Sequence, residues 1–290
     1  MKPNLNNKPI IAQGWLRVVL FVVFYFSLLF VVSFMLGYFN KQSNAEKTTT
    51  TKSIPYLLFI IYAIISFGAV WLFRKIIDRR SFDSIGFSID KNGVHAGTGF
   101  FLGILLLCSG TCILYFTKNL QWTDISFNGN DLFISFGLMV IVAFYEEIVF
   151  RGYILNNLLE SANKWLALFI SAIVFALAHL ANPDFSVVGA VNIFLAGLLL
   201  GLNYIYTKNC WFGIALHFTW NFLQGPLLGY EVSGIQLQSL LQHHVQGNEL
   251  ITGGKFGFEG SLVASLVCVM AIVALALVYE KKFIAKTIVQ

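Results

Sequence analysis

Charge is what this chain has least of. Only 11% of its 290 residues are Asp, Glu, Lys or Arg, against roughly 25% in a soluble domain. Hydrophobic residues make up 57% and mean hydropathy is +0.75. That balance excludes an ordinary soluble domain and leaves an integral membrane protein. A basic cluster on a soluble face is also missing. The net charge of +5 therefore reads as positive-inside bias at a bilayer, with no nucleic acid implied. Cysteine is scarce: Cys108, Cys112, Cys210 and Cys268 lie in or beside apolar runs. Their spacing fits neither a metal finger nor a secreted disulfide framework, so they read as small membrane-helix residues. There is no fixed-period repeat, no evident inverted-repeat symmetry of the transporter kind, and no compact HExxH zinc helix. No lipidation box stands at the C-terminus. The first apolar run is too long for a signal peptide and has no small-residue cleavage site, so it is expected to be a permanent span.

Long apolar runs are what the chain does have. A membrane helix needs about 20 apolar residues. Eight runs qualify, at about 15–39, 55–73, 96–116, 131–159, 164–180, 186–206, 210–228 and 261–279. The expected fold class is all-α, a polytopic transmembrane helix bundle of about eight spans. Gly97, Gly99 and Gly103 in the third run, and Gly189, Gly197 and Gly201 in the sixth, predict close helix approaches. Thr48 to Thr51 read as a solvent turn, and Arg74 to Lys91 as a basic connector. Ile235 to His244 mixes Leu with Gln and predicts an interfacial helix, with His243 and His244 solvated. Lys and Arg gather in the first segment, the second connector and the last segment. The positive-inside rule then puts both termini in the cytoplasm, as in a bacterial inner or plasma membrane.

The centre of the chain is Ile141 to Gly152, IVAFYEEIVFRG. Glu146, Glu147 and Arg151 stand in an apolar setting, where each charge costs about 2.5–3.5 kcal/mol to insert. Glu147 and Arg151 are i,i+4 neighbours and can pair on one helix face. Glu146 points about 100° away, toward other helices. Two of those carry His179 (in VFALAHLAN) and His217 with Asn221 (in IALHFTWN). Counted at about 1.5 Å per residue from the helix ends, the four polar groups fall at similar depths, which predicts one buried polar site. Such a site suits hydrolysis. A glutamate can act as general base toward water beside a histidine, and an amide with a second imidazole can stabilise an oxyanion. Alternatively, Glu146, His179 and His217 could bind Zn²⁺ and leave a fourth position for water. For the Glu147–Arg151 pair the bland reading, a buried salt bridge that fixes packing, is adopted. Asn192 and Asn203 read as interhelical glue.

The pattern Glu146-Glu147-xxx-Arg151, Phe175-xxx-His179 and His217-xxx-Asn221 resembles the three motifs of the CPBP family. These are the CAAX proteases and bacteriocin-processing (Abi) membrane proteases, among them the type II CAAX prenyl endopeptidases. The resemblance covers about 131–228, and the first three runs and the last add no diagnostic residue. It implies a membrane core at 131–228, preceded by N-terminal helices and loops (1–130) and followed by a loop and C-terminal helix (229–290). It also implies that Glu146 activates water with His179, that His217 and Asn221 stabilise the oxyanion or help hold a metal, and that Glu147 and Arg151 support the site. The implied partners are the lipid bilayer and a membrane-associated peptide or protein substrate, prenylated CAAX peptides included. Two rivals differ in kind. A non-catalytic immunity or scaffold protein would keep the pocket but act by binding, and a secondary transporter would use Glu and His as a proton relay.

Overall fold

A computed structural model describes residues 8–42, 54–87 and 92–289. The turn at Thr48 to Thr51 and the connector's end at Lys91 lie outside these residues. Eight main helices run in chain order: α1 (Gly14–Gln42), α2 (Ile54–Ile76), α3 (Asn92–Phe116), α4 (Gly129–Glu147), α5 (Lys164–Ala178), α6 (Val187–Leu202), α7 (Trp211–Phe222) and α8 (Leu262–Val289). Helix α4 continues without a break through a π-helical segment, Ile148–Leu155, into Asn156–Leu158, and α7 continues into a second π-helical segment, Leu223–Leu227. Among the described residues, 6 helices are long and apolar enough to cross a membrane, and α5 is a shorter apolar helix. Phe30, Ile64, Phe101 and Leu277 are all exposed. Bare side chains of this size around a helical bundle are the signature of a lipid-facing surface. The protein is an integral membrane protein built as a helix bundle.

The helical bundle has roughly the expected number of spans, with α5 and α7 shorter than a full crossing. Helix α5 has 15 residues, which at about 1.5 Å per residue falls short of a hydrocarbon core of about 30 Å. It stops at His179, and Asn182-Pro183 follows. Helix α7 has 12 residues and reaches further only through its π-helical extension around Pro226. The chain beyond both ends turns into irregular backbone. Within a bilayer such backbone is tolerated where it is buried in protein or lines a cavity. Local capping sets several helix starts. Asn128, Asn163 and Ser186 accept backbone N–H groups from the first turns of α4, α5 and α6, the usual work of such residues at an N-cap.

Helix α7 is the central strut, packed on α3 and α4. The close approach to α3 comes from Gly99 and Gly103: a Cβ on Gly99 would lie 2.2 Å from the Phe212 carbonyl oxygen. Gly97, expected on the same seam, meets nothing and faces away. Gly197 provides the α5–α6 approach, its backbone against Ala172.

The interfacial helix expected over Ile235 to His244 does not form. Leu241–Val245 is instead a strand, β2, paired antiparallel with β1 (Leu120–Ile125). Alternate burial along Leu241 to Val245 is the period-2 pattern of a half-buried strand. It places His244 on the exposed side, as expected, while His243 packs at a tilt against Tyr230, 4.8 Å between ring centroids. Burial and the neighbouring His244 hold the His243 imidazole below its ordinary range.

One end of the bundle is tied by charge. Asp78, fully buried, accepts from Arg17 at 3.1 Å and Arg74 at 2.8 Å. It is also bonded by the Tyr153 hydroxyl and the Asn157 amide. Arg17 reaches on to Glu160 at 2.6 Å, which also pairs with Arg80. Lys164 pairs with Glu280 at 2.8 Å. These contacts gather the start of α1, the end of α2, the end of α4 with its extension, the start of α5 and the last part of α8 at one face of the bundle. Each buried charge there is paired and hydrogen-bonded, as burial demands.

Candidate active site

Glu146 and Glu147 are the last residues of α4 before the helix widens into π geometry at Ile148, a feature that recurs at functional sites. The two carboxylates take different environments. Glu147 is fully buried, and its Oε1 accepts from Arg151 Nη1 at 2.7 Å and lies 3.1 Å from His217 Nδ1. Arg151 donates its other Nη to the Gly197 carbonyl at 2.9 Å and sits 4.5 Å over the Phe175 ring. The expected Glu147–Arg151 pair is present, and it has a third member. Glu147 grips His217, so the pair orients a ring on another helix. Gly213 makes the room, since a Cβ there would lie 2.5 Å from Glu147 Oε2.

Glu146 turns the other way, into a cavity of about 410 Å³ that His179, His217 and Asn221 also line. The structure thus brings all four predicted side chains to one chamber, of a volume usual for ligand sites. Glu146 Oε2 is buried and has no hydrogen-bond partner among the described residues. It stands 3.9 Å from His179 Nε2 and 3.8 Å from His217 Nε2.

The hydrogen positions on both rings follow from their other contacts. His179 Nδ1 lies 2.8 Å from the Phe175 carbonyl oxygen. A carbonyl only accepts, so Nδ1 carries hydrogen and the neutral ring presents Nε2 as an acceptor. His217 is fixed the same way by the Glu147 carboxylate. Three acceptors, two ring nitrogens and a carboxylate oxygen, therefore face one another beyond direct hydrogen-bond distance. Mutual repulsion makes that arrangement unfavourable unless something bearing hydrogen or positive charge sits among them. Gaps of this width are what a bridging water spans.

Zinc fits this triad in chemistry, and Glu146, His179 and His217 are the residues that would hold it. Tetrahedral ligands at about 2.0–2.1 Å from zinc lie only about 3.4 Å from one another. Glu146 Oε2 is wider than that from both rings, and among the described residues no group of three His, Cys, Asp or Glu side chains is gathered to hold a metal ion.

The sequence did not point to the far wall of the cavity. Asn182, Ser233 and Glu259 line it beside the four expected residues, opposite an apolar wall that includes Tyr25, Phe26, Leu58 and Phe59. Glu259 holds the Ser233 turn by accepting from both its backbone N–H, at 2.8 Å, and its hydroxyl, at 2.7 Å. A glutamate in a glycine-rich loop carries no motif, so only the fold could place it. Asn192 is glue, as expected: it donates to the Glu259 and Ser261 carbonyls, both at 2.7 Å, and accepts from Ser265. Asn203 bonds Tyr279 and Thr207.

The stretch from the α4 N-cap to just past Asn221 carries Glu146, His179, His217, Asn221 and the Glu147–Arg151 pair. Residues 128–223 match the family described as type II CAAX prenyl endopeptidase Rce1-like. The resemblance read from the motifs is thereby shown for that core, and the many-span helical architecture agrees with it. The chain is also similar to a Bacillus subtilis (strain 168) protein named "Putative membrane peptidase YdiL". Identity is 24% over 222 residues, covering 72% of this chain and 86% of that protein. This second likeness reaches well outside the Rce1-like core.

Proposed function

We propose that this chain is an intramembrane endopeptidase that hydrolyses peptide bonds of membrane-associated substrates. The observation that carries the reading is Glu146 Oε2, partnerless in a cavity and faced by two imidazole acceptors at 3.8 and 3.9 Å. A water placed among them has its hydrogens directed at the carboxylate and a ring nitrogen. Glu146 takes a proton as the water oxygen attacks the scissile carbonyl carbon. The carbonyl oxygen becomes an oxyanion, which the Asn221 amide can stabilise as a donor, joined by His217 Nε2 once that ring has taken up a second proton from solvent. Collapse of the tetrahedral intermediate breaks the C–N bond, and the proton held by Glu146 or His179 passes to the leaving amine. Glu147 and Arg151 act by positioning: they hold His217 in the tautomer that turns Nε2 to Glu146. Similarity to the Rce1-like family and to a protein named as a membrane peptidase supports this reaction class. We place the chain in a bacterial plasma membrane with both termini cytoplasmic. The gathering of Arg17, Arg74, Arg80 and Lys164 at one end of the bundle supports that orientation under the positive-inside rule.

The test is cleavage of a panel of membrane-tethered and prenylated peptides by purified protein in detergent. Wild type is run beside Glu146→Gln, each with and without a strong chelator. Loss of cleavage in the variant with chelator resistance in the wild type is the expected result. Cleavage lost with chelator and restored by Zn²⁺ would replace the water-only mechanism with a metal site on Glu146, His179 and His217. Cleavage that survives Glu146→Gln would refute the assignment. No cleavage by the wild type, with Glu146→Gln still functional in cells, would leave the binding or scaffold role.

A further inference from the structure

The cavity has a direction. From Glu146 it extends away from the charge-tied end of the bundle. Its lining includes Leu58 and Phe59 in the first turns of α2, Asn182 beyond the C-terminus of α5, Ser233 and Leu237 in the long loop, and Glu259 before α8. All of these belong to the end opposite the one where Arg17, Arg74, Arg80 and Lys164 meet Asp78, Glu160 and Glu280. No lining residue comes from that charged end. Toward that end the packing is tight: Glu147, Arg151, Phe150, Leu200, Tyr153 and Tyr204 are all buried. The other end has the irregular backbone, the partly exposed loop and the polar wall of Asn182, Ser233 and Glu259. That is where water and a polar peptide can approach a site at membrane depth.

Basic residues mark the cytoplasmic side of a bilayer. We propose that Glu146 is reached from the extracytoplasmic face, and that the substrate is a membrane-anchored polypeptide whose scissile bond lies on that side. This rests on the peptidase reading for the word substrate, while the direction of access rests on the fold together with the positive-inside orientation. It narrows the substrate class. A peptide presented only from the cytoplasm, as a cytosolic C-terminal lipidation box is, would meet the tightly packed end. An exported segment next to its own membrane anchor would lay its apolar part along Tyr25, Phe26 and Phe59 and its polar part along Asn182 and Ser233.

Labelling of single introduced cysteines in intact cells tests the direction without requiring any proteolysis. In a background with Cys108, Cys112 and the cavity-lining Cys268 changed to alanine, three variants are compared: Gln236→Cys on the exposed loop, Asn182→Cys on the cavity wall, and Lys75→Cys at the charged end. A membrane-impermeant maleimide is expected to label Gln236→Cys in intact cells and Lys75→Cys only after permeabilisation. A small charged thiosulfonate is expected to modify Asn182→Cys from outside at least ten-fold faster than Lys75→Cys. Labelling of Lys75→Cys but not Gln236→Cys from outside overturns the proposal, and so does equal labelling of both. Gln236→Cys reacting from outside while Asn182→Cys reacts only after permeabilisation also overturns it, because the loop would then seal the cavity. If the orientation holds and no peptide is cleaved from either side, the peptidase reading fails and the direction of access stands.

Discussion

Arg151→Met is the substitution for which the structure gives the clearest arithmetic. Arg151 is 1% exposed and Glu147 0%, so neither is relieved by water. The guanidinium donates to Glu147 Oε1 at 2.7 Å and to the Gly197 carbonyl at 2.9 Å, and it lies 4.5 Å over the Phe175 ring. Methionine fills much of the volume but leaves Glu147 as an uncompensated buried charge whose remaining partner is His217. Breaking such a pair from one side costs about 3–5 kcal/mol. Removing both charges, in Glu147→Gln with Arg151→Met, is a different perturbation. No buried charge is left, and the main residual loss is the donor to the Gly197 carbonyl, about 1–2 kcal/mol. The double variant is thus expected to be more stable than the single Arg151→Met by about 2 kcal/mol, a coupling typical of contacting residues. Denaturant unfolding in detergent micelles, followed by tryptophan fluorescence, reads both. Activity should part company with stability. The double variant regains its fold but keeps His217 poorly oriented, and it should cleave about 10–100-fold more slowly than wild type, as when a ring's orienting partner is lost. A cost under about 1 kcal/mol for Arg151→Met, or a double variant as unstable as the single, would refute the reasoning.

Three further outcomes follow from other contacts. Gly213→Ala puts a Cβ 2.5 Å from Glu147 Oε2 with the Leu200 carbonyl 3.3 Å behind it. It should lower kcat at least about ten-fold through displacement of Glu147 from His217, measured by peptide cleavage at saturating substrate. Asn192→Leu removes three hydrogen bonds that fasten the loop before α8. The Ser261 carbonyl keeps the Ser265 N–H, so the Glu259 carbonyl is the one left without its donor, and the variant should be destabilised by about 1–3 kcal/mol with raised amide exchange around Glu259, read by mass spectrometry. At the charged end, burial pushes Glu160 up, but hydrogen bonds and charge from Arg17 and Arg80 outweigh it, so its carboxyl lies below the ordinary value of 4.5. A depressed carboxylate contributes stability that is present above that value and lost as pH falls through the folded one. Glu160→Gln should therefore be less stable than wild type at pH 7, with the difference shrinking below about pH 4. An unchanged difference across that range, in unfolding curves taken at each pH, would count against the Arg17 and Arg80 contacts.

What the sequence determined by itself was whatever a single helix can express. Hydropathy placed the long spans, because the bilayer demands their length and composition. The i,i+4 spacing of Glu147 with Arg151, and of His217 with Asn221, fixed which groups share a face. The cost of charge in an apolar setting singled out Glu146 and the two histidines before any fold was known. Tertiary structure decided everything that depends on two segments meeting. It showed that Glu147 serves His217, that Gly213 clears the space for that contact, and that α5 ends at His179 so that the ring stands beside Glu146. It turned Leu241–Val245 into a strand, because the partner β1 lies more than a hundred residues earlier in the chain. It also gave the cavity its direction, through Ser233 and Glu259 at one end and the arginines around Asp78 at the other. Periodicity and composition are local quantities. The distance between Glu146 and His217 is set by how α4 packs against α7, and no window along the chain contains both.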